Sequence, residues 1–140
     1  MPEESTTPDL EERWQRFAYA INARDFDGAA AAHRPDAVWD GSATGVGVFE
    51  GREAIRSFIE DWYGAYQDFE QVIEEFRDLG DDVALVVTLH RAHLPGSGGS
   101  VEGGYARVLI WTDGLIQRVT VYTDIDEGRA AAERLAQERG

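Results

Sequence analysis

Two cationic side chains stand two residues apart near the end of Val83–Leu94, VALVVTLHRAHL. Arg91 could fix a carboxylate or an enolate oxygen, and His93 could carry a proton near neutral pH. Side chains of an extended strand alternate between faces, so Val83, Val87, Leu89, Arg91 and His93 share one face while Ala84, Val86, Thr88, His90 and Ala92 share the other. One face thus begins apolar and ends charged, as a strand does when its end lines a pocket or reaches a rim. Asp40 closes the strand-like run DAVWD and is the candidate base to complement His93 as acid. Each of these residues also has an ordinary structural use. Asp suits a turn cap, and Arg91 and His93 could pair with Glu102 across a hairpin. His90 and His93 lie three apart on a strand and point to opposite faces, so no shared metal site is expected, and no cofactor motif is present.

The inventory narrows the chemistry further. The chain has no cysteine and all 13 of its basic residues are arginine. Thiolate nucleophiles, disulfides, Schiff bases and phosphate-loop lysines are therefore unavailable, leaving carboxylate, histidine, tyrosine and hydroxyl chemistry. A formal charge of −14 would repel nucleic acid and anionic membranes. No apolar run reaches the ~20 residues of a membrane span. The acidic start MPEESTTPDLEE has neither a basic leader nor an apolar segment, which gives a cytoplasmic location as the default. At 140 residues one domain is expected.

The elements that must position these side chains follow from spacing. Residues 1–8 read as a flexible tail, residues 9–124 as the folded domain and residues 125–140 as a terminal helix. Thr7 and Pro8 mark a helix start, after which Leu10, Trp14, Phe17 and Ile21 form an apolar stripe. Asp25 caps a second helix with Phe26, Ala29 and Ala30 on its apolar side, His33 and Arg34 in its last turn and Pro35 ending it. Asp36–Asp40 reads as a short strand and GSATGVG as a loop or irregular edge. A third helix, Arg52–Tyr66, carries Ile55, Phe58, Ile59, Trp62, Tyr63 and Tyr66 along one broad side, with Trp62 a candidate pocket wall. Strands follow at Phe69–Leu79, Val83–Leu94, Val101–Thr112 and Leu115–Thr123, with Gly80-Asp81-Asp82 and Asp113-Gly114 as hairpin turns. Asp124 or Asp126 caps the terminal helix. Helices followed by an antiparallel meander predict an α+β fold in which one curled sheet covers the N-terminal helices.

With these segments placed, the chain resembles the nuclear transport factor 2-like superfamily, and within it the SnoaL-like small proteins. The likeness rests on INARDFDGAAAAHRPDAVWD, FEGREAIRSFIEDW and the hairpin WTDGLIQRVTVYTD in that order. It implies a cone-shaped α+β barrel enclosing a pocket, commonly dimeric through the outer sheet face. The ketosteroid isomerase pattern within this superfamily maps its oxyanion-hole tyrosine to Phe17 and its protonated acid to Ala106, so both donors are missing. Its base falls on Asp40 or the neighbouring Gly41. The limonene epoxide hydrolase pattern places Val121 where an aspartate is needed. The resemblance also implies that Val87, Leu89, Arg91 and His93 face the interior with Ala106, Val108, Val119 and Val121. Tyr105, Arg107, Leu109 and Trp111 would then form an outer row suited to a homodimer interface.

Three functions fit this reading. The first is a pocket protein for a small, mostly apolar molecule, with Arg91, Phe17, Phe58, Trp62, Ala106, Val108 and Val119 as candidate ligand contacts. The second is a cofactor-free enzyme doing proton-transfer chemistry such as isomerisation, cyclisation or dehydration, with Asp40 and His93 as its catalytic pair. The third is a dimeric accessory protein with a vestigial pocket.

Overall fold

The computed structural model of the protein describes residues 10–64, 68–93 and 100–140, without the side chains of residues 64, 68, 69, 71, 92, 93 and 100–102. The N-terminal tail, the Thr7–Pro8 helix start, Tyr66 and the 94–99 linker lie outside the described residues. Helix α1 (Leu10–Asn22) buries Leu10, Trp14, Phe17 and Ile21, the stripe that its spacing predicts. It ends at Arg24, whose positive φ turns the chain, and the Asp25 side chain then caps α2 (Phe26–Ala31) by accepting from the Gly28 amide at 2.9 Å.

Strand β1 (His33–Asp40) begins earlier than expected, so His33 and Arg34 belong to the sheet and not to the second helix. Pro35 is tolerated there because the pairing of β1 with its neighbour is irregular between His33 and Val38, where no ladder hydrogen bond is demanded of it. A short 3-10 turn (Ser42–Thr44) and β2 (Val48–Glu50) lead to α3 (Arg52–Gly64). The meander then runs through β3 (Asp68–Gly80), β4 (Val83–His93), β5 (Ser100–Thr112) and β6 (Leu115–Tyr122) before α4 (Ile125–Arg139). Asp81, Asp82 and Asp113 all take positive φ in the two predicted turns, the conformation that tight hairpins require. Asp124 is the cap of α4, accepting from the Glu127 amide at 3.0 Å.

The six strands form one curved, unclosed sheet in the order β2-β1-β6-β5-β4-β3. All neighbours are antiparallel except β1 and β6, which run parallel. Its concave face packs on α1, α2 and α3 through a core that includes Trp14, Phe17, Trp39, Ile55, Ile59, Tyr63, Val86, Leu109, Trp111 and Val119. The convex face has a smaller core of its own, in which Val83, Leu85, Ala106 and Val108 are covered by Ile125, Ala132 and Leu135 of α4. Gly128 permits that approach, since a Cβ there would stand 2.7 Å from the Ala106 Cβ.

The alternation expected along β4 is present, but the faces are the reverse of those the resemblance implies. Ala84, Val86, Thr88 and His90 point into the cone, paired with Leu109, Arg107, Tyr105 and Gly103. Val87, Leu89 and Arg91 face outward, across from Ala106, Gly104 and Glu102. The cause is one residue. An unbroken ladder from the Thr112–Leu115 turn would set Val108 beside Val119 and Ala106 beside Val121. A bulge between Ile110 and Trp111 leaves Gln117 over, so that Leu109 pairs with Val119 and Arg107 with Val121. A one-residue slip moves a whole strand's side chains to the opposite face. Tyr105, Arg107, Leu109 and Trp111 are therefore interior, and Leu109, Trp111 and Arg107 are at most 3% exposed. That row is not available as a surface for a second copy.

Candidate functional site

The interior row of β5 brings an arginine into the cone. Arg107 sits between Tyr105 and Leu109 on the concave face, opposite Val86 and diagonal to Thr88. Its side chain is buried, and Nη1 donates to the Thr88 hydroxyl at 2.7 Å. Nη2 lies 3.1 Å from His90 Nε2, and the Thr88 hydroxyl is 3.2 Å from the same nitrogen. An arginine can only donate, so Nε2 is the acceptor and the imidazole proton resides on Nδ1. Burial first, and the Arg107 charge second, push the His90 pKa down to about 2. The imidazole is thus a neutral acceptor that fixes the arginine. Burial also lowers the pKa of Arg107 itself, yet a guanidinium remains charged at any ordinary pH. Indole faces complete the setting, with the guanidinium carbon 5.6 Å from the Trp39 ring and 5.9 Å from that of Trp14.

Above this cluster is a narrow, open-mouthed cavity of about 30 Å³. Trp39, Phe58, Trp62, Tyr63 and Tyr105 form aromatic walls, Arg107 and His90 supply the polar lining, and Thr44 and Val46 come from the Gly-rich loop after β1. A mostly apolar lining with a few convergent polar groups is that of small-molecule sites, here around a free space that admits only a small group. The walls support one another: Trp39 is 5.8 Å from Phe58, Phe58 is 6.0 Å from Trp62, and Phe49 stacks on Phe58 at 4.4 Å. Helix α3 presents Phe58 and Trp62 because they lie one turn apart, while Ile55, Ile59 and Tyr63 anchor its other side in the core.

Phe58 and Trp62 line this cavity among the residues anticipated from sequence, whereas several others lie elsewhere. Phe17 is buried in the core beneath it, with its ring 6.5 Å from Trp39, and Val119 is buried in the same core. Ala106 and Val108 belong to the convex core under α4, the consequence of the bulge described above. Arg91 is also convex, and its side chain is half exposed and bound to Glu70 at 3.0 Å, while the side chain of Glu102 lies outside the described residues. Asp40 shares the register of Thr120 beside β6 and so faces away from the cavity that its neighbour Trp39 lines. There Oδ1 accepts from the Ser42 hydroxyl and amide at 2.6 and 3.1 Å, and Oδ2 pairs with Arg118 at 3.1 Å. The Ser42 hydrogen bonds, and then Arg118, hold its pKa below the usual aspartate value. Asp40 is a turn clamp for the loop that delivers Thr44 and Val46. The side chain of His93 lies outside the described residues. Arg107, Thr88 and His90 were not anticipated as a cluster. Their signal in the sequence was a charged residue between two strongly apolar strand positions, and its meaning depended on which face was inside.

A family model described as SnoaL-like domain matches residues 14–119. Among solved structures, an NTF2-like protein of unknown function from Burkholderia pseudomallei superposes with a TM-score of 0.72 at 20% identity, covering 90% of this chain and 98% of that one. A hypothetical protein with a ketosteroid isomerase-like fold from Catenulispora acidiphila, solved in complex with trimethylamine, gives 0.71 at 17% identity, covering 91% and 94%. An LEH-like epoxide hydrolase from Mycobacterium tuberculosis gives 0.69 at 19% identity, covering 89% and 90%. At these identities the likeness is one of fold. No curated protein matches the sequence. No helix among the described residues is long and apolar enough to cross a membrane.

Proposed function

The chain belongs to the SnoaL-like family of the nuclear transport factor 2-like superfamily, and on that premise we propose that it binds a small, mostly apolar acid whose carboxylate or enolate oxygen meets Arg107. The observation that carries this reading is a guanidinium held at the base of an aromatic cavity by the Thr88 hydroxyl and the neutral His90 ring. Burying a charge is costly, and an anionic ligand arriving in the same low-dielectric site offsets that cost. Charge-assisted hydrogen bonds to guanidinium are also stronger than neutral ones.

Proton-transfer catalysis is the second reading. Arg107 would stabilise an enolate as readily as a carboxylate. However, Asp40 is on the opposite face of the sheet, and His90 with a pKa of about 2 is not a proton donor near neutrality. Binding therefore has the stronger support.

Phenylacetate and its neutral counterpart phenylacetamide provide the test. By calorimetry the wild type should prefer the acid by roughly tenfold or more, from the ~1.5–3 kcal/mol of a hydrogen bond to a charged group. Arg107→Met should abolish that preference, and because the partners it leaves, Thr88 and His90, are neutral and lie within reach of each other, circular dichroism should show the variant folded. Equal affinity of wild type for acid and amide would remove the proposal.

A further inference from the structure

Beside the cavity lies a second, larger hollow whose wall it shares. The groove between β2 and α3 has a volume of about 560 Å³, is open to solvent, and is lined by Val46, Phe49, Ala54, Ser57, Phe58, Asp61 and Trp62. Val46, Phe58 and Trp62 line both hollows. The arrangement follows from helical spacing. Ala54, Phe58 and Trp62 recur every four residues and form a stripe on α3 next to the one made by Ile55, Ile59 and Tyr63. The second stripe enters the core, whereas Ala54, Phe58 and Trp62 remain partly exposed.

Resting on the reading of Arg107 as an anion-recognising group, we propose that the ligand is elongated: its acid head enters the cavity, and its apolar body crosses Phe58 and Trp62 to lie along the groove. Three observations support this. The cavity, at about 30 Å³, admits no more than a small head group and is much the smaller of the two hollows. The groove adjoins it across three shared wall residues, Val46, Phe58 and Trp62, so an apolar body leaving the open mouth of the cavity over that wall meets further apolar surface and avoids water. Charge then sets the direction. The charged residue lining the groove is Asp61, which repels an acid head, while Arg107 attracts it at the other end. The ligand class is an amphipathic monoacid with a linear or flat hydrocarbon body longer than the cavity.

A chain-length series tests this directly. Straight-chain carboxylates from butyrate to dodecanoate are titrated by calorimetry against wild type, Ala54→Glu, Ala54→Ser and Arg107→Met. For wild type each added methylene should tighten binding by up to about fourfold, continuing past the short acids that fill the cavity alone. Ala54→Glu should flatten the increments for the long acids and leave butyrate unchanged, Ala54→Ser should keep the wild-type slope, and Arg107→Met should weaken the whole series. A wild-type plateau at short chain length overturns the elongated ligand but leaves the acid site standing. So does an Ala54→Glu slope equal to wild type. If Ala54→Glu dissociates a dimer by sedimentation without changing the slope, a second copy covers the groove and the proposal fails. If no acid binds the wild type, or if Arg107→Met binds the series as well as wild type does, the acid site itself is wrong and the proposal falls with it.

Discussion

The two faces of the sheet treat the same residue type in opposite ways. On the convex face arginines meet carboxylates near solvent: Arg91 with Glu70 at 3.0 Å, Arg118 with Asp40 at 3.1 Å and Arg129 with Glu75 at 2.8 Å. On the concave face Arg107 is fully buried and is held by a hydroxyl, a neutral imidazole and two indole faces. The convex pairs neutralise charge where water already screens it, and each contributes little. The concave arrangement keeps a positive charge away from bulk solvent, where its field is less screened. The proposed recognition group thus sits where charge is hardest to bury.

The comparison first requires that both faces be true cores, which gives the largest expected effect. Leu109 is fully buried on the concave side, and Leu85 is 1% exposed on the convex side under α4. Leu109→Ala and Leu85→Ala should each destabilise by about 2–5 kcal/mol in urea unfolding, from lost transfer energy and a residual cavity. An effect of Leu85→Ala below ~1 kcal/mol would mean that α4 does not hold the convex face.

The next effect sharpens the electrostatic contrast. Besides His90 the concave core contains His33, whose Nδ1 is 3.0 Å from the Ala29 carbonyl and whose ring meets Phe17 edge to face at 5.4 Å. Burial lowers its pKa to about 4. Both histidines are thus neutral in the fold from pH 6.5 down to about 4, while the unfolded chain protonates them at about 6.5. The unfolded state binds more protons, so stability is fully present above pH 6.5 and falls as pH drops. Each histidine contributes a slope of up to ~1.4 kcal/mol per pH unit, and for His33 a total on the order of 3 kcal/mol by pH 4. His33→Phe should remove its share of that slope in urea melts between pH 7 and 4. An unchanged slope would place a protonated or solvated histidine at this position.

Much of this architecture is legible in the sequence. The period-two pattern of β4, the Asp113-Gly114 turn and the α1 stripe are local, and local rules place them. Asp40 has the turn-capping role that its residue type favours. The face assignment was not legible, because it depends on one unpaired residue, Gln117, and a bulge has no signature in alternating Arg-Val-Thr-Val. The beginning of β1 was hidden for a similar reason: Pro35 reads as a helix stop, and only the irregular pairing across from it makes it compatible with a strand. The site inherited the first error. A strand arginine suited to an acid could be read from the chain, but whether the cavity would hold Arg91 or Arg107 required the register.

The smallest effect is therefore the most discriminating. Arg91 and Glu70 have side chains 50% and 57% exposed, and an exposed pair of this kind contributes ~0.2–1 kcal/mol. Arg91→Met should shift urea stability by less than ~1 kcal/mol, and the little it does should fade with added salt, because solvent ions screen the pair. Its effect on phenylacetate affinity should be within twofold, since the residue faces outward on the same strand whose inward positions, Thr88 and His90, hold Arg107. Arg107→Met should show the converse, with a large loss of acid preference that salt diminishes much less. The two variants differ by a register of one residue in the β5–β6 ladder. If Arg91→Met abolished acid binding and Arg107→Met did not, the bulge at Ile110–Trp111 would be absent and the two faces would exchange roles.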